Sequence, residues 1–526
     1  MSSTERHPVA AGPDSRPRSE PAHVAPAPGR PVSRAALRAI VFVVGASSLG
    51  AEIAAARLLA PYFGASTIIW ANTIATVLVA LSIGYACGGR LADRRADLRG
   101  LCAIVMAAAV LLAVVPFIAD PFLRLSARAL GTLSAGGFIG SLAAVLVLVA
   151  VPIVLLGAVA PYANRLALGR VADAGTVTGG LYAVSTAGSL LGTFLSALLL
   201  IPLIGSHRTF IVFALGLGLA AAAGMRSRLG WLVPLALLAA LAIPNPAVGA
   251  SVPGARVIAS TETEYQYVRV LQFADGERWL QLNEGVAIHS LYRPWSYMTG
   301  GYWDDFLVAP AAGARGVGSR VAILGDAAGT VARAYGHYFP STRVDAVELD
   351  GEQSTIGKRY YGQRGPNLHL YTADARPWLS ASHARYDAIF LDAYRQPYIP
   401  FYLVTREFFS GVRAHLRPGG MLIINVGHIP GSYALEKVVS ATVGAVFPHV
   451  ARDVVSDGNS LVMASAAPIS SARMLARVPR ALRPLAGLLA SRILPPLAGG
   501  SVYTDDRAPV EWLTDLSIVR YATGRR

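Results

Sequence analysis

Four short stretches in the second half of the chain carry residues suited to holding a nucleoside. Gly325-Asp326-Ala327-Ala328-Gly329 follows an apolar run and opens a helical stretch. Small residues at such a turn let the backbone approach a ligand closely. Glu348 ends the next apolar run, 23 positions after Gly325, where a carboxylate accepts hydrogen bonds from both ribose hydroxyls. Asp374 follows a third run, next to Ala375, and its carboxylate can bond an adenine amino group. Asp392 ends a fourth run and faces the same crevice. Each also has a plainer reading: Asp326 and Asp374 as helix caps, Glu348 as the partner of an arginine. Together, three acids and a small-residue turn at successive strand ends favour a nucleoside site. The stretch lacks the lysine of a phosphate-binding loop, and an acidic lining suits an uncharged or cationic nucleoside better than a dinucleotide.

The elements that must position these residues are legible as buried strands. Val321-Ala322-Ile323-Leu324, Val344 to Glu348, Leu368 to Tyr371, Ala388 to Leu391 and Met421 to Ile424 alternate with helical stretches. That order predicts a doubly wound, largely parallel sheet of the Rossmann-like α/β class, with ligands at the carboxyl ends of its strands. Ahead of it, residues 256–318 read as a small β-rich part. There Val268 to Phe273 and Arg278 to Leu282 flank Asp275-Gly276, a hairpin signal.

The first half of the chain is different in kind. Of all 526 residues, 54% are hydrophobic and 15% charged, against roughly 25% charged in soluble domains. Apolar spans at 37–59, 68–88, 101–119, 137–160, 180–203, 208–224 and 229–243 predict a multi-span α-helical membrane domain over 35–244. The last two spans are short, so the count is six or seven. Arginines gather in the N-terminal tail and in alternate loops, which predicts a cytoplasmic N-terminus in a multi-pass cell-membrane protein. Six spans then leave the C-terminal part inside, and seven leave it outside. The net charge of +15 follows this distribution and suits anionic lipid headgroups, with no nucleic-acid partner.

Within the spans, Glu52 is an acid in an apolar helix, read either as half of an ion pair, with Arg57 one candidate, or as a transport site. Gly88 to Arg94 resembles a short transporter loop, or serves simply as a basic turn. Cys87 and Cys102 form no CxxC pair and have no nearby histidine, so no metal site is expected. Residues 1–34 read as a disordered cytoplasmic tail and 245–255 as a linker. The Rossmann-like domain covers 319–466. Residues 467–499, rich in arginine among Leu, Ala and Val, read as a basic amphipathic segment on the membrane surface. Residues 500–526 complete the domain.

From about Glu264 to Asp515 the chain resembles the spermidine synthases, or polyamine aminopropyltransferases, and the whole chain resembles their membrane-fused form. The resemblance rests on Val321 to Gly329, Val347-Glu348-Leu349-Asp350, Tyr386 to Asp392, Leu403 to Phe409 and Leu416-Arg417-Pro418-Gly419-Gly420. It implies a methyltransferase-type Rossmann fold and aminopropyl transfer from decarboxylated S-adenosylmethionine to an amine, releasing methylthioadenosine. It further implies no permanently bound cofactor and no metal, decarboxylated S-adenosylmethionine or S-adenosylmethionine as co-substrate, and a small-molecule amine acceptor. By the same resemblance Asp392 is the catalytic base. Gly325, Asp326, Gly329, Glu348, Asp374 and Ala375 hold the nucleoside, and Tyr302, Asp304 and Tyr394 line the acceptor side.

The sequence departs from that family on the acceptor side. Ala328 stands where the family has an acid, Arg395 stands three residues after the base in place of a second acid, and Ile288 replaces a glutamine. Tyr302-Trp303-Asp304 stands for Tyr-His-Glu. Two other readings stay open: an S-adenosylmethionine-dependent transferase with a different acceptor, and a non-catalytic ligand-binding domain on a transporter-like helical module. The expected partners are the lipid bilayer and the amine, with a homo-oligomer possible.

Overall fold

The computed structural model describes residues 33–522 apart from 64–66, 95, 131–135, 169–172, 226, 244–251, 284–286 and 396–397. The expected tail up to residue 32 and most of the expected linker lie outside the described residues.

The N-terminal half is helical: α1 (Arg34–Phe63), α2 (Thr67–Arg94), α3 (Leu98–Leu130), α4 (Gly136–Val145), α5 (Val151–Ala167), α6 (Ala174–Phe194), α7 (Ile201–Met225) and α8 (Leu232–Ala240). Wider π-turns at Leu146–Ala150 and Leu195–Leu200 carry α4 into α5 and α6 into α7. Five helical stretches are long and apolar enough to cross a membrane. The longest, Ala174–Met225, breaks at Gly205, whose φ of 80° and ψ of 163° are not helical. It is therefore two helices, matching the separate spans expected at 180–203 and 208–224.

Small residues let these helices touch backbone to backbone. A Cβ at Gly188 would sit 2.1 Å from the Phe42 carbonyl, and one at Gly192 2.0 Å from that of Ala46. Ser189 and Ser196 donate to the carbonyls of Gly45 and Gly50 at 3.2 and 3.0 Å. Gly84 and Gly88 pack in the same manner on Val154 and Ala158. Close packing and interhelical hydrogen bonds of this kind hold apolar helices together.

The C-terminal half begins with a four-stranded antiparallel sheet, β1 (Ala255–Glu262), β2 (Tyr267–Phe273), β3 (Arg278–Leu282) and β4 (Ser290–Tyr292). β2 and β3 pair antiparallel on either side of Asp275-Gly276, with Gly276 at φ 88°. The short α9 (Tyr302–Asp305) leads into the main sheet, built from β5 (Arg320–Leu324), β6 (Arg343–Glu348), β7 (Leu368–Thr372), β8 (Tyr386–Leu391), β9 (Leu416–Gly427), β10 (His449–Ser456), β11 (Asn459–Ser465) and β12 (Ile493–Leu494). Its order is β12-β10-β11-β9-β8-β5-β6-β7. β5 to β9 run parallel, whereas β10, β11 and β12 join antiparallel. The fold is therefore α/β with a mixed sheet, as expected for the parallel part and extended by three antiparallel strands.

Alternation along β5 shows how the layers form. Val321 and Ile323 enter one core with α10 (Thr330–Tyr338), while Ala322 and Leu324 enter the other with α12 (Ala375–Ala381), α13 (Arg406–His415) and α14 (Ala434–Gly444). Successive strand residues face opposite sides, so one buried run feeds both cores. α11 (Gly351–Ile356) and α17 (Val510–Ala522) complete the set.

The arginine-rich stretch expected on a membrane surface buries one apolar face in the domain, while Leu475, Leu488 and Leu494 stay exposed. It forms α15 (Ser471–Arg477) and α16 (Arg483–Arg492), and Met474, Val478, Leu482, Ala486 and Leu489 are buried in the first core. Arg492 reaches the buried carboxylates of Asp305 and Asp453 at 2.7 and 2.8 Å. The spacing that suits a bilayer equally suits a sheet, and the sheet takes it.

Candidate active site

After β7 the chain crosses to the other side of β5 to form β8, so the strand order reverses beside β5. Ligands of open α/β sheets bind in the crevice at such a point. A cavity of about 1030 Å³ opens there, lined among others by Gly325, Asp326, Glu348, Asp374, Asp392 and Tyr394. Ala375 and Tyr302 also line it. Of the residues proposed from sequence, Gly329 and Asp304 are not among its lining.

The turn after β5 is shaped by contacts that exclude side chains. Gly325 has φ 88°, and a Cβ there would lie 2.5 Å from the Asp392 carbonyl oxygen. Ala327 adopts φ 48°, rare for a residue with a Cβ, and its N–H donates to Glu348 at 2.8 Å. Gly329, at φ 88°, caps α10 and packs against Gln363, so its part is to hold the turn. The other oxygen of Glu348 accepts from the Asp350 N–H at 3.1 Å and from Gln353 at 3.2 Å. Burial lifts the Glu348 carboxyl to about 7 in spite of these bonds. Asp326 is buried beside Gln363. Burial first, then the charges of Glu348 and Asp392, push its carboxyl well above the usual range.

Asp374 caps α12, accepting from the Arg376 N–H at 3.0 Å, and also accepts from the Tyr402 hydroxyl at 2.6 Å. The cap and the ligand-facing readings of this residue are thus compatible, since Asp374 also lines the cavity.

Asp392 stands just beyond β8. It accepts from the Asn425 amide at 2.8 Å and from the Tyr302 hydroxyl at 3.1 Å, with the Trp303 indole donating as well. Burial outweighs these donors and raises its carboxyl to about 7. A carboxylate at that value accepts a proton readily near neutral pH. Tyr394 is anchored between the Asn425 carbonyl, to which it donates at 3.0 Å, and the Gly427 N–H.

Asp304 lies outside the cavity's lining, turned toward the preceding loop. Its carboxylate accepts from the N–H and hydroxyl of Thr299 at 2.8 and 2.9 Å and from the Gly300 N–H at 2.7 Å. It ties its own loop through these bonds. On the acceptor side, Arg395 and Ile288 line the cavity. Ala328 is fully buried and donates its N–H to Ser290 at 2.9 Å.

Sequence reasoning missed Asn425 and His289. Asn425 follows the apolar run Met421 to Ile424, the same strand-end signal that marked Asp392. His289 lines the cavity, and burial lowers its imidazole to about 4. Arg57, weighed as a partner of Glu52, instead donates to the Glu264 carbonyl of the soluble half.

No family model matches the chain. A probable polyamine aminopropyl transferase of Bifidobacterium longum is 31% identical over 221 residues, which are 42% of this chain and 49% of that protein. A polyamine aminopropyltransferase of Vibrio vulnificus is 36% identical over 132 residues, 24% of this chain and 43% of that protein. A crystal structure of a probable spermidine synthase from Corynebacterium glutamicum is 21% identical with a TM-score of 0.36, covering 48% of this chain and 98% of that one. The chain spans about half the length of the sequence relatives it matches. The chain is thus similar in sequence to proteins named as polyamine aminopropyltransferases over about two-fifths of its length.

Proposed function

We propose that the protein is a membrane-anchored aminopropyltransferase, taking its aminopropyl group from decarboxylated S-adenosylmethionine. The observation that carries this reading is Asp392. It is a buried carboxyl raised to about 7, held by Asn425 and Tyr302, in one cavity with Glu348 and Asp374. Glu348 and Asp374 hold the ribose and adenine, and the Gly325 turn lets the nucleoside lie against backbone. An amine, once neutral, attacks the methylene beside the sulfonium. The new C–N bond forms as the C–S bond breaks, its electron pair staying on sulfur to give methylthioadenosine. The proton released from nitrogen passes to Asp392. Alignment of amine and sulfonium supplies much of the rate. The apolar helices 34–60 to 174–225 support anchoring in a lipid bilayer.

A second reading is favoured by one observation. Arg395 lines the cavity where a polyamine would bring positive charge. The acceptor is then an amine other than a simple polyamine, or the co-substrate is S-adenosylmethionine itself. Mass spectrometry of acceptors incubated with each sulfonium separates the two. An aminopropyl mass gain on putrescine from the decarboxylated compound supports the first reading. Transfer only to other acceptors, or only from S-adenosylmethionine, supports the second.

A further inference from the structure

We infer that the cavity-bearing domain lies on the non-cytoplasmic face of the membrane. The inference rests on the membrane-spanning reading of the helices and follows from their directions.

α1 and α6 run parallel, because Phe42, Ala46 and Gly50 meet Gly188, Gly192 and Ser196 in ascending order. α7 runs against them: Ile40 lies near Gly224, Val43 near Gly216, and Ser47 donates to the Phe213 carbonyl. Ala174–Met225 thus crosses twice, turning at Gly205. α2 also runs parallel to the continuous α4–α5 stretch, through Asn72 with Ser141 of α4 and then Gly84 with Val154 and Gly88 with Ala158 of α5. Six crossings return the chain at Met225 to the end where α1 starts.

The next segment crosses back. Gly230 packs beside Ala222 and Met225, and Pro234 and Leu237 pack beside Gly218. The Ile243 carbonyl then accepts from Arg208 at 3.2 Å, near the start of α7. From Leu229 to Ile243 the rise is about 22 Å if helical, so this is a short seventh pass along α7. At that far end the soluble half is docked. Ser206 donates its N–H to Glu262 at 3.0 Å and its hydroxyl to the same carboxylate, Arg57 donates to Glu264, and Trp70 at the start of α2 lines the cavity.

Arginine assigns the faces. The starting end holds Arg34, Arg38, Arg90, Arg94, Arg165 and Arg228, with Arg95, Arg99, Arg170 and Arg226 beside them in sequence. The docking end holds Arg57, Arg124, Arg128 and Arg208, and residues 34–243 contain no lysine. Short loops rich in arginine stay in the cytoplasm. The cavity then draws both reactants from outside the cytoplasm, and its acceptor is an amine present at that external face.

The test is labelling with a membrane-impermeant maleimide in the full-length protein, with Cys87 and Cys102 replaced by serine. Ser410→Cys, exposed on α13, should react in intact cells, and Ala96→Cys, exposed between α2 and α3, only after permeabilisation. A C-terminal alkaline phosphatase fusion should be active and a C-terminal green fluorescent protein fusion dark, which reads the same face without cysteine variants. Ser410→Cys protected until permeabilisation, together with a bright fluorescent fusion, would overturn the inference. Release of the protein from membranes by alkaline carbonate would sink the membrane reading and the inference with it.

Discussion

The Asn425 amide donates to the Asp392 carboxylate across 2.8 Å, and Asn459 in turn donates to the Asn425 side-chain Oδ1 across 2.9 Å. Three strands, β8, β9 and β11, thus converge on one oxygen of the candidate base. The bond favours the charged form of Asp392, while burial favours the neutral form and wins. Activity that needs the carboxylate should therefore rise with pH through about 7. Removing the donor with Asn425→Leu should move that limb upward by about one pH unit, as expected for a hydrogen bond to a charged group. A pH–rate profile of the two proteins reads this directly, and an unmoved limb would separate Asn425 from the base.

Burying three acids together has a cost in stability, and its sign is fixed by their raised carboxyl values. An unfolded aspartate releases its proton near pH ~4. Folded Asp392 holds it to about 7, so between those values the folded state binds the extra proton. Stability from this group is fully present below pH ~4 and is lost as pH rises toward 7. Asp392→Asn should accordingly raise Tm by a few degrees at pH 8 and leave it unchanged at pH 4, where the native carboxyl is already neutral. Thermal melts at the two pH values test this independently of activity.

Gly325→Ala should abolish nucleoside binding. The position has φ 88°, and the added methyl would meet the Asp392 carbonyl and Ala393 within 2.6 Å. The turn must move away from the strand end assigned to the nucleoside in the proposed function, and the strained backbone costs about 1 kcal/mol or more. Calorimetry with methylthioadenosine should give no heat for the variant and a saturable signal for the native protein.

Arg492→Ala should destabilise the soluble half by about 3 kcal/mol. It removes the cation that pairs with Asp305 and Asp453, leaving two buried carboxylates facing each other. Denaturant melts followed by tryptophan fluorescence would register a lower midpoint. A segment held only by a membrane surface would register none.

The parts of this structure that were legible in sequence are those where burial is nearly complete. β5, β6, β8 and the end of β9 are almost continuously buried, with Asp345 the polar residue within β6, and the turn and acids stand where that burial stops. β10 mixes buried and half-exposed positions, and β12 has two residues, so neither leaves a clear period. Asp304 has the type and neighbourhood of a binding residue, and the bonds that tie it to Thr299 and Gly300 leave no mark in the sequence. Asn425 stands at a strand end like the acids, but an uncharged amide carries no comparable signal in sequence, although it donates to Asp392. Ala174–Met225 is broken at Gly205, between the two spans expected at 180–203 and 208–224.

The most direct test of the aminopropyl transfer ascribed to Asp392 is methylthioadenosine release by the purified full-length protein given decarboxylated S-adenosylmethionine and putrescine at pH 8. The native protein should release it, and Asp392→Asn, still binding the nucleoside, should be slower by at least about 100-fold, the usual loss for a general base. Release at the native rate by Asp392→Asn, or no release by a native protein that binds the sulfonium, would contradict the account.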